Sequence, residues 1–425
     1  MMTADQKTMT EFIGGNVKNN KLMQAIALLG ALTVAANNYA NEVNGIEYSG
    51  SGFMTLGIGK MLGGTRGNVA DYNCPCFAAD YAQAGVYDGR SGLQLRPDSK
   101  IGVQGSASLS SFSLTAQAVG RGADKGSVGL EWFYGSYKMN EKVTIQAGRK
   151  RLPMFYYSDT QDVGVALPWA HLPPQLYGWE VVNYNGVNLA YQDKFGEWSA
   201  NMNLLAGNET KKESGYWKIY NGRQNRTDAK WSNIIGGDLT LSKDWLETRL
   251  VYIQSDTQTK NITGMWNTAL QAYDPTTIDV SFSLDPNGQL KPVTKQKIYG
   301  LTINVDYQDW LVRSEAIYIN RPGATWKDFS QIFGVGYHFG KWQPMLTWAN
   351  YRGVAVVAMG GDPNGQEAHA TTSLTLRYDL TTSSDLKLQY DSQKDKSGPN
   401  WMVPWTGGTP YGNSRLLTFA YDIVF

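Results

Sequence analysis

The chain has 425 residues, 42 % of them apolar, yet its mean hydropathy is negative, which is too polar for a bundle of membrane-spanning helices. A formal net charge of +1 gives no electrostatic argument for a nucleic-acid partner. With 46 Gly, 25 Tyr and 14 Trp against 3 His, the composition suits strands, tight turns and amphipathic rings rather than a catalytic centre.

The first element in chain order is a targeting segment. Lys18 and Lys21 precede an apolar stretch from Leu22 to Ala36, followed by Asn37, Asn38 and the small residue Ala40. This order predicts a secretory signal peptide over residues 1–40, cut after Ala36 or Ala40, with a single domain over 41–425. A buried core helix is the duller alternative, but nothing amphipathic follows. Cys74 and Cys76 flank Pro75; in an oxidising compartment they could pair or carry an adduct. Together with His171, His338 and His369 they show no metal-ligand spacing, and neither metal nor cofactor is expected.

The rest of the sequence repeats with period two. Polar and apolar residues alternate without a break from Ser373 to Leu380, and likewise over 100–109, 301–307 and 386–391. Segments of about 10 residues match the length a tilted strand needs to cross a hydrocarbon layer. Strands are predicted at 46–59, 100–109, 112–121, 127–138, 143–151, 184–192, 198–207 and 234–242. A second set is predicted at 245–255, 296–307, 310–320, 329–339, 342–351, 368–380, 386–393 and 415–425, which brings the number to sixteen. Alternate connections are tight, as at Lys243-Asp244, Gln308-Asp309 and Gly340-Lys341. Most of the others are long: 61–99, 152–183, 208–233, 256–295 and 394–414. Short turns at one end and long loops at the other describe an all-β transmembrane antiparallel β-barrel rather than a soluble sandwich. Trp198, Trp245, Trp310 and Trp342 each follow a tight turn, which sets four amphipathic rings at one height, half of an aromatic girdle.

The final strand carries Leu417, Phe419, Tyr421, Ile423 and terminal Phe425 in alternation, and Gly148-Arg149-Lys150-Arg151-Leu152-Pro153 stands at the exit of the fifth. In these features the chain resembles the Gram-negative trimeric porin family over essentially all of residues 41–425. The resemblance implies that Tyr421, Ile423 and Phe425 are read by the barrel-assembly machinery, and that loop 152–183 folds inward to constrict the pore. It also implies a homotrimer in the outer membrane, among lipid and lipopolysaccharide. Loop 122–126 departs from the family, whose longer second loop holds neighbouring subunits.

Parity nominates the lumen. A Lys or Arg facing lipid at mid-bilayer costs roughly 2–4 kcal/mol, so charges between apolar neighbours should point inward. That rule selects Lys100, Arg121, Arg249, Arg313, Arg377 and Lys387, with Glu315, Asp306, Asp379 and Asp391 as acidic partners. For any one of them a solvated wall position is the plainer reading. Arg149, Lys150 and Arg151 at the loop root face Asp159 and Asp162 within the loop. Cations opposite carboxylates across a narrow gap make a transverse field that orders dipolar solutes and excludes apolar ones. Trp169, His171, Pro173, Pro174, Tyr177 and Trp179 give the loop a packed body. The expected function is passive diffusion of small hydrophilic solutes and ions through a polar, water-filled lumen, without catalysis. The alternatives are a substrate-selective channel for a sugar or organic acid, a barrel enzyme built on one of the His residues, and a plugged adhesion barrel.

Overall fold

Alternation along the sequence becomes alternation between two environments. The computed structural model describes residues 40–425 except 66, 70, 71, 90, 91, 224, 225, 263, 264, 268, 270, 271, 275–282, 285–289, 292 and 402–411. The expected signal peptide lies outside the described residues, apart from Ala40. The barrel begins with β1 (Ile46–Gly64), β2 (Lys100–Leu109), β3 (Phe112–Arg121), β4 (Val128–Lys138) and β5 (Val143–Arg151). It continues with β6 (Asn183–Phe195), β7 (Trp198–Lys211), β8 (Thr227–Lys243), β9 (Leu246–Asn261), β10 (Thr294–Tyr307) and β11 (Trp310–Asn320). The last five strands are β12 (Trp326–Tyr337), β13 (Trp342–Ala355), β14 (Ala368–Thr381), β15 (Ser384–Asp395) and β16 (Ser414–Val424). Each pairs antiparallel with the next, and the expected sixteen-stranded antiparallel barrel is the fold observed.

Closure falls on β1, which pairs with β2 through residues 47–55 and with β16 through residues 53–64. The stretch of β1 that β16 does not reach is covered by a short strand, Ala40–Val43, folded back on it. The ring therefore presents no long unpaired edge at the seam. Phe425 prolongs the seam: its N–H donates to Gly52 O (2.9 Å), and the Gly52 N–H donates to Phe425 O (2.6 Å). The Phe425 ring occupies the space that a Cβ on Gly52 would need.

Outside, Phe133, Leu250, Leu346 and Leu374 are 50 %, 53 %, 57 % and 56 % exposed, part of an apolar surface of the kind a membrane covers. No helix among the described residues is long and apolar enough to cross a membrane. Near the tight turns the aromatic girdle pairs across strands: Phe112 with Tyr137 (4.6 Å between ring centroids), Trp310 with Tyr337 (5.0 Å) and Trp342 with Tyr378 (4.5 Å). Two of these turns use Gly196 (φ +63°) and Gly340 (φ +61°), where two-residue hairpins require positive φ.

Several strands run past their predicted limits on the long-loop side. β8 starts at Thr227 rather than 234, and β9 ends at Asn261 rather than 255. Beyond the hydrocarbon the outer face carries Asp228, Lys230 and Lys260, so polar/apolar alternation stops while the hydrogen-bonded ladder continues. A bulge between Ser232 and Ile235 further shifts the parity of β8.

Candidate pore and inward loop

The loop between β5 and β6, residues 152–182, is bound to inward-facing side chains around most of the wall. All six nominated cations and Glu315 take part, whereas Asp306 and Asp379 pair with Arg313 and Arg377 on the wall itself. Lys100 Nζ donates to Gln161 O (3.0 Å), Arg249 Nη2 to Pro153 O (3.0 Å) and Arg313 Nε to the Tyr157 hydroxyl (3.1 Å). Arg377 reaches Val165 O (2.8 Å) and Leu167 O (3.0 Å), and Lys387 reaches Gly164 O (2.7 Å). Glu315 accepts from the Tyr156 N–H (2.8 Å) and the Tyr177 hydroxyl (2.5 Å). Arg121 binds the Asp162 carboxylate through Nε (3.2 Å) and Nη2 (2.7 Å). These side chains were expected to face a water column. They instead satisfy the backbone carbonyls and carboxylates of a loop withdrawn from bulk water, groups that would be costly to bury unpaired.

The lumen was expected to be polar around a packed loop, but part of the wall is apolar too. Loop residues Leu152, Phe155, Leu167, Trp169 and Leu176 form one buried cluster with Ile253 of β9, Ile298 of β10, Ile317 of β11, Ile332 of β12 and Met345 of β13. Each fully buried large side chain contributes about 1.5–3 kcal/mol, so β7–β13 hold the loop as a packed core holds a helix. Opposite them the wall is polar, with Thr55, Gln117, Thr371, Thr375, Gln389 and Thr418 buried. Trp169 Nε1 donates to Thr347 (2.8 Å) and the Ala170 N–H to Gln389 (2.9 Å), which fixes the middle of the loop.

At the loop root the three cations separate. Arg151 is buried and meets Asp162 directly, with Glu131 at 3.0 Å on its other side. Glu131 also takes Arg121 at 2.5 Å, and Lys100 stands 4.0 Å from Asp162. These five groups form a closed ionic cluster where charges facing one another across a gap were expected. The surrounding cations hold the Asp162 carboxyl well below the usual carboxylate range, although its burial opposes this. Arg149 turns to Glu209 (2.7 Å) and to Leu130 O (2.7 Å). Lys150 reaches Gln146 and lies 5.1 Å from the centre of the Tyr134 ring. Asp159 stays exposed and interacts electrostatically with the half-buried Lys150 and with Arg249.

A second loop, residues 65–99, packs against the first. Tyr87 donates to Asp98 (2.7 Å), and Asp98 lies 3.1 Å from Nδ1 of His171, whose Nε2 is 3.3 Å from Asp391 of β15. Phe77 and Gln389 complete the surroundings of the imidazole. Burial opposes a charged imidazole here, but Asp98 and Asp391 outweigh it and push the pKa from 6.5 up to about 10. A pKa raised by docking means that its contribution is fully present below about pH 6.5 and is lost as pH rises toward about 10. Each unit in that window weakens docking by about 1.4 kcal/mol. Proteolytic cleavage within 152–182 should therefore accelerate between pH 7 and pH 10, and His171→Gln should flatten the profile. A flat profile in the unaltered protein would contradict this assignment. In the same loop, Cys74 and Cys76 are joined by a disulfide.

Parity could have found two of the residues it missed. Glu131 sits between Leu130 and Trp132, and Asp422 between Tyr421 and Ile423, charged groups in apolar alternation like the selected cations. The participation of loop 65–99 had a weaker signal, aromatic residues Tyr72, Phe77, Tyr81 and Tyr87 in a segment without alternation.

A closed antiparallel ring with an apolar exterior, an aromatic girdle and a loop bound inside it defines a membrane-spanning β-barrel of the porin type. Among solved structures, the outer membrane channel DcaP of Acinetobacter baumannii is similar, at 10 % identity and TM-score 0.54 over 92 % of this chain and 100 % of that one. So is the anion-selective porin from Comamonas acidovorans, at 14 % identity and TM-score 0.50 over 89 % and 100 %. The trimer form of OmpT, an outer membrane protein of Vibrio cholerae, follows at 8 % identity and TM-score 0.51 over 90 % and 100 %. At such identities the likeness is one of fold. No protein-family model matches the sequence, and no curated protein matches it.

Proposed function

We propose that this chain is a Gram-negative outer-membrane porin through which small hydrophilic solutes and ions diffuse passively, and that it catalyses nothing. The observation that carries the reading is the asymmetric interior. One half of the wall grips the loop by apolar packing, the other half is polar, and Asp159 of the loop stays exposed within reach of the Lys150 charge. Solutes cross beside the loop, and the field of these two groups sorts them by charge. The outward row Phe419, Tyr421 and Ile423, ending in Phe425, serves the barrel-assembly machinery. β3 and β4 expose Phe112, Leu114, Leu130 and Phe133 on a stretch of short strands that suits packing against two further copies in a homotrimer.

Planar bilayers test the reading. Purified folded protein should give discrete conductance steps. A unit charge about 10 Å from a permeating ion is worth roughly 0.4 kcal/mol in water, so each charge removed should change the permeability ratio about twofold. Lys150→Gln should shift the reversal potential toward cation selectivity, and Asp159→Asn toward anion selectivity. Folded protein that inserts without conducting would overturn the proposal.

A further inference from the structure

Beyond the inward loop, at the long-loop end, wall and loops enclose a cavity of about 730 Å³, within the range of small-molecule sites. Its lining has an aromatic part, with Trp179 of the inward loop, Tyr216 and Tyr220 of the helix Gly215–Asn221, and Trp326 of β12. Trp179 and Tyr216 are nearly parallel (9°, centroids 6.4 Å apart), and Tyr216 and Tyr220 are 5.0 Å apart. Trp326 shares the inward parity of Asp328 yet remains 44 % exposed, which leaves its surface open to the cavity. The rest of the lining includes hydroxyls and amides: Thr257, Thr259 and Asn261 on β9, with Thr294 and Gln296 beside them on β10.

The charged groups in this lining are engaged with one another or with neighbours. Glu180 accepts the indole N–H groups of Trp217 (2.5 Å) and Trp231 (2.7 Å). Asp328 takes the Tyr351 hydroxyl (2.9 Å) and the Arg321 guanidinium, which lies between the rings of Trp179 (5.8 Å) and Trp326 (5.6 Å). Glu367 takes the Tyr220 hydroxyl (3.1 Å) and stands 3.3 Å from His369, and Asp362 takes the Asn400 amide (2.9 Å). A small ion would have to displace these partners. An apolar ligand would take the Thr, Asn and Gln side chains of the lining out of water.

We infer that this vestibule binds a neutral saccharide of two or three units. Sugar C–H groups carry slight positive charge and settle on the negative faces of aromatic rings, while sugar hydroxyls both donate and accept and so match Thr, Asn and Gln. The inference rests on the channel reading, since it places a recognition site on the path a solute takes.

Isothermal titration calorimetry on the folded protein in detergent, with maltose, sucrose and maltotriose as probes and choline as the cationic control, tests it without requiring conduction. Saturable binding is expected in the range of about 1–10 mM. Trp326→Ala and, separately, the pair Thr257→Val with Asn261→Ala should each weaken it about tenfold or more, in protein that still runs as a compact band on unheated gels. Absence of saturable sugar binding, equal binding in both variants, or tighter binding of choline would each overturn the inference. Protein that conducts but binds no sugar removes the saccharide site and leaves the channel. Protein that binds sugar but does not conduct does the reverse.

Discussion

Gly164→Val should release the inward loop and raise single-channel conductance severalfold while the barrel itself stays folded. Gly164 lies where the loop crosses the seam, and a Cβ there would overlap the Asp422 carboxylate of β16 and the Thr55 hydroxyl of β1. Neither group can step aside, because Asp422 is held by Lys387 (2.7 Å) and by Thr55 (2.5 Å). The loop must retreat instead, and its hydrogen bond from Lys387 is lost with it. Asp162→Ala should act in the same direction by a different route. It leaves the buried Arg121 and Arg151 with Glu131 as their shared carboxylate, an uncompensated arrangement that costs about 3–5 kcal/mol. Unchanged conductance in both variants, with compact bands on unheated gels, would show that the loop does not limit the pore.

Lys387→Met should lower the stability of the folded barrel by about 3–5 kcal/mol, seen as a lower urea midpoint for loss of the compact band. The ammonium is fully buried between Asp385 (3.1 Å) and Asp422 (2.7 Å), and the Asp385 carboxylate is shared with Arg377 (3.2 Å). Removing the cation leaves the buried Asp422 with the Thr55 hydroxyl alone and Asp385 with Arg377 as its one cation. The cost is that of breaking the cluster rather than the worth of the pairs, so removing the anions as well should recover most of it. The triple variant Lys387→Met, Asp385→Asn, Asp422→Asn is therefore expected to lie within about 1.5 kcal/mol of the unaltered protein. A triple variant as unstable as the single one would locate the effect in packing.

The architecture was legible because lipid imposes a strict rule on the outer face. Leu301, Ile303 and Val305 had to alternate with Thr302 and Asn304, and the tight turns followed from where that alternation stopped. The same rule found the inward cations but not their occupation. Parity tells a residue which way to point and is silent on what it meets there. Arg377 reads the same whether it faces water or the carbonyls of Val165 and Leu167. The apolar half of the interior was hidden for a related reason: Ile298, Ile317 and Ile332 occupy inward positions, where a lipid-based rule expects polarity. Their partners lie more than a hundred residues away in the loop, beyond the reach of any local pattern.

Gly164 rests at once on β1 and on β16, the two strands that meet last around the ring. Neighbouring parts of the same loop are tied to β11, β13, β14 and β15. A segment fastened to both lips of a joint and to the staves leading up to it acts as a mandrel. It braces the cylinder from within at the place where the first strand meets the last.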